Sequence, residues 1–326
     1  MLIKKKNILI QLIILLLLSS CVEHKFNIHI SPNGSYKVEY SAHGDKEDIQ
    51  DLDFTIPSSN EWIIHSTINN GEAESYDYVA SKNFERGQFF PETFYMGDSI
   101  YYDSLLKHPL NINHSNWYFW ETYSIEITFI GRGVQNKYPL IIDLIQDINN
   151  PPNGWKHQAL EYMLMQTLNL IDIDWNDRPI IKAELKDWID NDLFLVEDSI
   201  LFEDSDYYKN IGLDIIMQPL SPTYYDSIDS IYKFLEDELQ ITLDLVDDSF
   251  DFEVVLPGHI ESSNADSTFG NTLFWTLNIE DYINEDYDIY SYSKINHPKR
   301  VKWGIFSFFI LLLMFFIFII RKKNSI

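Results

Sequence analysis

The chain has 326 residues, of which 45% are hydrophobic and 15% aromatic; this excludes a disordered spacer and allows one or two folded domains. All 50 acidic residues lie between Glu23 and Asp288, and seven of the 24 Lys and Arg lie in the terminal segments, so the region 22–300 carries 50 acidic against 17 basic residues, a formal net charge of −33. This charge repels nucleic acid, so we expect no nucleic-acid partner. It suits a basic protein partner, or it serves solubility alone.

Residues 1–20 have the pattern of a lipoprotein-type signal peptide. Three lysines precede an apolar stretch over Ile8–Leu18, and two serines and Cys21 follow it. A stretch of eleven residues is too short to span a bilayer, which needs about 20. The run Leu18–Cys21 resembles the bacterial lipobox, which implies that Cys21 is lipidated and becomes the mature N-terminus. Ordinary cleavage just after Cys21 is the alternative. Because Cys21 is the sole cysteine, an intrachain disulfide is excluded.

The region after the signal begins with a predicted β-hairpin. Apolar and polar residues alternate over Phe26–Ile30 and again over Tyr36–Ala42, and Asn33-Gly34 lies in the turn between the two runs. Asn-Gly between alternating runs is a strong hairpin signal. Further strands are predicted over three ranges: Trp62–Ile68, Tyr76–Ala80 and Trp117–Ile130.

The middle of the chain changes to helical periodicity. Apolar residues recur every three or four positions from Trp155 to Ile171, after a Pro-Pro-Asn-Gly breaker. A second helix is predicted to start at Pro179 and a third to follow Pro222. Strands return over Phe250–Leu256, over Leu273–Ile279 and from Tyr287.

This order predicts an α+β fold with one extracytoplasmic domain, residues 21–300. Its N- and C-terminal strands are expected to form one antiparallel sheet, with the helical middle packed on a face of that sheet. The sequence shows no Gly/Ser- or Pro-rich linker that would demand two domains.

Residues 301–320 are predicted to form a transmembrane helix. The run from Trp303 to Ile320 contains no charge, and phenylalanines cover every face, which argues against a buried helix of a soluble protein. Three basic residues precede the span and three follow it, so the flanking charges do not orient it. The export signal orients it, and the basic tail 321–326 is then cytoplasmic. A helical span also favours the cytoplasmic (inner) membrane, because outer membranes use barrels.

The C-terminal hairpin carries a resemblance to a known family. The residues concerned are Pro257, Gly258, Asn264, Gly270 and Trp275. A Pro-Gly bend, an Asn, a Gly turn and a strand Trp before a C-terminal transmembrane helix resemble the end of LppM-like bacterial lipoproteins. Pro257-Gly258 is expected to bend the chain, Asn264 and Gly270 to adopt positive φ, and Trp275 to fill a sheet face. The resemblance implies anchoring and an envelope role with lipid or glycolipid binding; it implies no chemistry.

No catalytic signature is present. Asp172–Asp177 begins with calcium-loop spacing but lacks the loop's Gly and final Glu, so we interpret it as an acidic segment that caps a helix. His157 and Glu161 lie four residues apart but outside any zinc motif, and we expect an exposed polar face. His259 is expected in a turn. The neighbouring Asp247, Asp248 and Asp251 could form an acid/base pair, although 50 acidic residues place such neighbours together by chance.

We therefore expect neither a metal nor a cofactor, and a non-catalytic binding or assembly factor on the outer face of the membrane. A long apolar cleft between sheet and helices would favour a lipid or glycolipid, whereas a shallow acidic face would favour a basic envelope protein. The alternative is a metal-dependent hydrolase acting on envelope material, which requires three or four carboxylates or histidines in one pocket.

Overall fold

The computed structural model describes residues 22–49, 56–57, 60–70, 74–88, 110–146, 151–173 and 177–323. The predicted signal peptide and Cys21 lie outside the described residues, as do positions 174–176 of the acidic loop and the last three residues of the basic tail. The predicted α+β class is confirmed, since the described chain holds two sheets, a helical middle and one long C-terminal helix.

The strands are β1 (Glu23–Ile30), β2 (Tyr36–Gly44), β3 (Ile63–Asn70), β4 (Glu74–Phe84), β5 (Leu110–Asn116), β6 (Trp120–Phe129), β7 (Ser249–Val255), β8 (His259–Ser263), β9 (Ser267–Phe269), β10 (Thr272–Leu277) and β11 (Tyr287–Asn296). The helices are α1 (Lys46–Ile49), α2 (Val134–Lys137), α3 (Pro139–Gln146), α4 (Trp155–Leu170), α5 (Asp177–Asn191), α6 (Asp198–Glu203), α7 (Ser205–Met217), α8 (Tyr225–Asp244), α9 (Ile279–Tyr282) and α10 (Pro298–Lys323). Short 3-10 turns lie at Leu193–Leu195 and Pro222–Tyr224.

The larger sheet joins the two ends of the domain, as the sequence predicts. Its strand order is β3-β4-β2-β1-β7-β10-β9. The β1–β2 hairpin has the expected antiparallel register, and Gly34 turns it with φ of 87°. Next to it, β1 pairs with β7 in parallel, so this sheet is mixed and not wholly antiparallel as predicted; more than 200 residues separate the two strands. Every second side chain of β1 is buried, which is the alternation of a strand with one face on a core.

The smaller sheet corrects the prediction of a single sheet. Its order is β5-β6-β11-β8, and β11 pairs with β6 from Tyr287 opposite Phe129 to Asn296 opposite Trp120. The predicted strand Trp117–Ile130 is also wrong at its start. Residues 117–119 form the turn between β5 and β6, which the Trp117 N–H closes by donating to the Trp120 carbonyl at 2.8 Å.

The two sheets face each other across an aromatic core. The ring of Phe129 in the smaller sheet lies 5.5 Å from that of Phe250 and 5.8 Å from that of Phe252 in the larger sheet. Phe26 stacks on Phe252 with 4.7 Å between ring centroids. Each of these side chains is buried, and burying a phenylalanine stabilises a fold by about 1.5–3 kcal/mol. The sandwich therefore has a substantial core of its own.

The helices of the middle pack mainly on one another, with α4 between α5 and α8. α4 starts at Trp155 as predicted, after Gly154 with φ of 83°. α5 starts at Asp177, two residues before the predicted Pro179, and α8 starts at Tyr225, after the 3-10 turn at Pro222. Arg132 lies in the loop after β6, and its buried side chain donates to the Thr242 hydroxyl of α8. This contact ties the smaller sheet to α8.

The C-terminal helix α10 follows β11 after a single residue, His297. Its segment Pro298–Ile317 has a mean hydropathy of 1.9, and none of it is buried within the protein. It is the one helix among the described residues that is long and apolar enough to cross a membrane. The helix starts three residues before the predicted boundary at 301.

Candidate membrane-proximal binding site

The start of α10 packs directly against the turn between β5 and β6. The His297 N–H donates to the Phe119 carbonyl at 2.9 Å. About two turns further along, a Cβ built on Gly304 would lie 2.5 Å from the Phe119 ring, so a larger residue at this position would displace that ring. The strand pairing of Trp120 with Asn296 brings both segments to the same end of the smaller sheet. The smaller sheet and α10 are therefore joined by contacts as well as by the chain.

The turn itself exposes four consecutive aromatic side chains, Trp117, Tyr118, Phe119 and Trp120, here called the aromatic turn. Trp117 is 61% exposed and Tyr118 is 62% exposed. Lys294 places its ammonium 5.0 Å from the centre of the Trp120 ring. Trp and Tyr concentrate where a membrane meets water, because their rings are apolar and carry a polar group. The aromatic turn lies beside the first turns of α10, the candidate membrane-spanning helix.

Between the aromatic turn and α10 lies an apolar groove, here called the junction groove. Its volume is about 550 Å³, within the range of ligand pockets. Its lining residues are Phe119, Trp120, Asn296, Val301, Gly304, Ile305, Phe308 and Phe309. The helix contributes Val301, Gly304, Ile305 and Phe308, whose spacing of three and four residues defines one face. Asn296 supplies the only polar side chain of this lining.

A carboxylate behind the groove fixes the junction. Glu121 lies 2.8 Å from Nε2 of His297 and 2.9 Å from the Tyr123 hydroxyl. Burial raises the pKa of Glu121, but hydrogen bonds from His297, Tyr123 and His114 outweigh it and lower that pKa below its ordinary value. The Tyr123 hydroxyl also lies 2.6 Å from the Pro32 carbonyl, in the turn of the first hairpin. An ionised Glu121 thus connects α10, β6 and the larger sheet.

The sequence singled out Pro257 and Gly258 as a bend, and the structure places them against β11. Gly258 has φ of 92°, and a Cβ there would lie 2.5 Å from the Lys294 carbonyl oxygen. The Ser293 hydroxyl donates to the Pro257 carbonyl at 2.8 Å. The bend therefore carries the chain from the larger sheet to the smaller one at the end where α10 begins.

Asn264 acts through its side chain, and the expectation of positive φ for it is wrong, because positive φ occurs only at glycines among the described residues. Its Oδ1 accepts from Trp275 Nε1 at 3.0 Å and from the Tyr290 N–H at 2.9 Å, and its Nδ2 donates to the Asp288 carbonyl at 2.6 Å. Trp275 is buried in the larger sheet. Gly270 has the expected positive φ, 65°, in the turn before β10, with open space around it. Four of the five residues thus join the two sheets, and Gly270 serves only its turn.

The histidines considered as ligands are structural or isolated. The expectation of an exposed polar face is wrong for His157, which is buried, with Nε2 2.9 Å from the Val196 carbonyl. Glu161 instead pairs with Lys186 at 2.8 Å, so the two candidate ligands do not converge. His259 is the exposed first residue of β8 and does not lie in the turn as expected.

A buried polar cluster at the start of β1 is absent from the sequence-based predictions. His24 lies 2.7 Å from the Tyr40 hydroxyl through Nδ1 and 3.2 Å from Asp248 through Nε2, and it stacks on Phe250 at 4.7 Å. The alternation of β1 could have predicted the burial of His24, because His24 lies two residues before Phe26 and therefore on the same inward face of the strand. Because His24 and Asp248 are both buried, the cluster stabilises the sandwich and offers no access to a substrate.

The aspartates near β7, considered from sequence as an acid/base pair, differ in their surroundings. Asp248 faces His24 in the core, whereas Asp251 is exposed and accepts from the Thr276 hydroxyl. Burial, and then the neighbouring Asp248, raise the pKa of Asp247. Across the ranges that the structure describes, no three His, Cys, Asp or Glu side chains are placed to hold a metal ion.

A second cavity, of about 190 Å³, lies among the helices of the middle. Its lining includes Lys209 and Glu236, which pair at 2.8 Å. This cavity is small and partly polar, and only helix residues line it, so the apolar cleft expected between sheet and helices stays a prediction. The larger apolar space is at the junction with α10.

The comparisons with known proteins add little. No family model matches the chain, and no curated protein matches it. Among solved structures, the folded domain of LppM from Mycobacterium tuberculosis superposes on 86% of this chain and 94% of its own, with a TM-score of 0.29 and 8% identity. A superposition at this level does not establish a shared fold. The LppM-like resemblance of the C-terminal hairpin therefore stays a prediction.

Proposed function

We propose that this protein is a non-catalytic binding or assembly factor, anchored in the cytoplasmic membrane by α10 with its folded domain on the outer face, and that the junction groove holds an acyl chain of a membrane lipid or glycolipid. The observation that carries the proposal is the position of the groove. One of its walls is the membrane helix itself, and the other is the aromatic turn of the domain.

The lining of the groove selects for a hydrocarbon chain. Phe119 and Trp120 face Val301, Gly304 and Phe308 across it, and a chain lying between them would exchange water for apolar contact at both walls. Each CH₂ group removed from water contributes about 0.8 kcal/mol. A chain can enter from the bilayer without crossing water, because Val301, Ile305 and Phe308 continue into the span.

Charge around the groove suits the headgroup of the same lipid. The domain is strongly acidic as a whole, yet Lys294, Lys299, Arg300 and Lys302 cluster on either side of the start of α10. Arg300 is 45% exposed, with NH1 4.0 Å from Glu121. Basic residues at this level attract phosphate and other anionic headgroups, each by about 1 kcal/mol. A lipid is thus a better match to this end of the domain than a basic protein.

The outer-face placement rests on the sequence, because an export signal ahead of the domain orients α10 with its N-terminus outside. Lipidation of Cys21 belongs to the same proposal and has its own test. Metabolic labelling with a fatty acid should label the wild-type protein and leave the Cys21→Ala variant unlabelled; equal labelling of the two would contradict it.

Lipid binding is tested by native mass spectrometry of the full chain extracted in mild detergent. Wild type should retain co-purifying lipid, and Gly304→Leu should retain at least several-fold less, because its side chain displaces Phe119 and fills the groove. The matched control is Ser307→Leu, which adds a similar volume to the same helix outside the lining. Equal lipid retention in all three proteins, or no retained lipid in wild type, would contradict the proposal.

The alternative of a metal-dependent hydrolase gains no supporting observation. It requires three or four converging carboxylates or histidines, and the described parts of the chain show no such group. His114 and His297 each contact Glu121 through Nε2, at 3.4 Å and 2.8 Å, so these three side chains are arranged around a single carboxylate.

A further inference from the structure

The strands of both sheets run between two ends of the domain, and α10 defines which end is near the membrane. In the smaller sheet, Trp120 pairs with Asn296 at the near end, and Phe129 pairs with Tyr287 at the far end. Nine residue steps separate Trp120 from Phe129, which is roughly 30 Å at about 3.3 Å per residue. The near end carries the aromatic turn.

The near and far ends of the larger sheet coincide with those of the smaller sheet, and two independent sets of contacts show this. At the far end, Phe129 packs on Phe250, and Phe250 is the register partner of His24 at the start of β1. Toward the near end, Tyr123 reaches the Pro32 carbonyl in the turn that follows β1. The chain therefore enters β1 at the far end and travels toward the membrane.

Val22, the first described residue, is held firmly in the fold at the far end. Val22 is 1% exposed, and its carbonyl accepts the Ser249 N–H at 3.1 Å. Cys21 is therefore covalently attached to a residue held in the core of the far end. One further residue adds about 3.5 Å of reach, against the roughly 30 Å between the two ends.

We infer that the start of β1 is directed away from the bilayer that α10 crosses, so that an acyl chain on Cys21 does not enter that bilayer while the domain is folded and is presented instead to a second, apposed membrane surface. The two predicted anchors then hold two surfaces about one strand length apart. The inference rests on α10 as the membrane anchor and on lipidation of Cys21, which both belong to the proposed function, but not on lipid in the junction groove.

The negative charge of the domain disfavours an arrangement in which both anchors enter the same bilayer. Bringing Val22 to the membrane requires the domain to lie on its side, which presses the flanks of a region with net charge −33 against the headgroups. Acidic protein surface is repelled by anionic lipid. A domain lying on its side would also withdraw Trp117 and Tyr118 from the membrane–water interface, where their exposed rings are best accommodated.

The inference is tested on the full chain in vesicles of phosphatidylethanolamine and phosphatidylglycerol that carry a nitroxide quencher on a fraction of their headgroups. A fluorophore is attached at Lys25→Cys near the far end or at Ser115→Cys near the aromatic turn; both positions are exposed, and Lys25 forms only a loose surface ion pair with Glu253 at 3.7 Å. Each label is placed in the lipidated chain and in a Cys21→Ala chain.

We expect strong quenching at position 115, at least several-fold greater than at position 25, and the same ratio with and without Cys21. Quenching of the position 25 label comparable to that at position 115 would overturn the inference, whether it occurs in both chains or only in the lipidated one. Weak quenching at both positions would overturn it as well, because the aromatic turn would then not face the bilayer. Lipid retention by wild type and Gly304→Leu is measured separately, so failure of the groove proposal is distinguishable from failure of this one.

Discussion

The two ends of the β-sandwich treat aromatic side chains in opposite ways. At the near end, four consecutive aromatics are exposed beside α10. At the far end, Phe250, Phe129 and the ring of His24 are all buried, and the polar groups among them are paired. The far end therefore behaves as a core that stabilises the fold, and the near end as a surface built to meet an apolar environment. Substitutions at the far end should change stability, whereas those at the near end should change lipid contact.

The largest effect is expected from Asp248→Ala at the far end. It leaves His24 buried without its carboxylate partner, and breaking a buried polar pair on one side costs roughly 3 kcal/mol. Chemical unfolding of the full chain in detergent, followed by circular dichroism, measures the free energy of unfolding. The control is Asp251→Ala in β7, three residues further along the chain; Asp251 is exposed, and its loss should cost below about 0.5 kcal/mol. Equal losses in the two variants would mean that the far end is no more stabilising than the surface.

Gly258→Ala is next, because it combines positive φ with a close backbone contact. The strain of a non-glycine residue at positive φ costs about 1–2 kcal/mol, and the new methyl group would also press on the Lys294 carbonyl. Gly270→Ala is the matched variant, since it has positive φ but open space, and should cost about 1 kcal/mol. The difference in unfolding free energy between these two variants measures the contribution of the close contact between Gly258 and β11. A larger loss for Gly270→Ala would contradict the view that Gly258 joins the two sheets.

Asn264→Ala should destabilise the protein by about 2 kcal/mol. It removes the acceptor of the buried Trp275 indole and of the Tyr290 N–H, leaving both donors unpaired. Thermal unfolding of wild type, Asn264→Ala and Asn113→Ala provides the measurement. Asn113 is exposed and donates to the side chain of Asn111, so its replacement should leave the stability nearly unchanged. If Asn264→Ala is equally silent, the joint between the sheets does not depend on this side chain.

The smallest effect concerns the near end and its pH dependence. The folded pKa of Glu121 lies below its ordinary value, so its stabilisation of the junction is complete above about pH 4.5 and is lost as pH falls through the lowered pKa. Amide hydrogen exchange at Trp117, which bonds within the turn, and at His297 should accelerate in that acidic range after correction for the intrinsic rate. Glu121→Gln should abolish this pH dependence. An unchanged pH profile in the variant would assign the effect to another group.

The parts of the fold that the sequence predicts are local. The β1–β2 hairpin, α4 and α10 follow from alternation, helical periodicity and an uninterrupted apolar run, each read within one segment. The parallel pairing of β1 with β7 joins distant segments, and nothing within either strand specifies it. The assignment of β11 to a second sheet has the same origin, because register partners and packing across sheets are not encoded in a strand's own pattern.

The candidate site was missed for a related reason. Residues 117–120 are uniformly aromatic, and the sequence predicts them to begin a long strand. A strand with one buried face alternates, and this run does not, so the break in alternation was the available signal for a turn with exposed rings. The groove itself depends on contact between that turn and a helix that begins 178 residues after Trp120, which only the structure shows.

The central claim, that the aromatic turn and the first turns of α10 form a lipid-binding groove, is tested most directly by photocrosslinking. The full chain is reconstituted with a phospholipid that carries a photoactivatable group midway along one acyl chain, and the labelled peptides are mapped by mass spectrometry. We expect crosslinks at Phe119 or Trp120 together with Val301, Ile305 or Phe308, and loss of the Phe119 and Trp120 crosslinks in Gly304→Leu. Crosslinks confined to α10 beyond Phe309, with none at the aromatic turn, would show ordinary contact with the bilayer and contradict it.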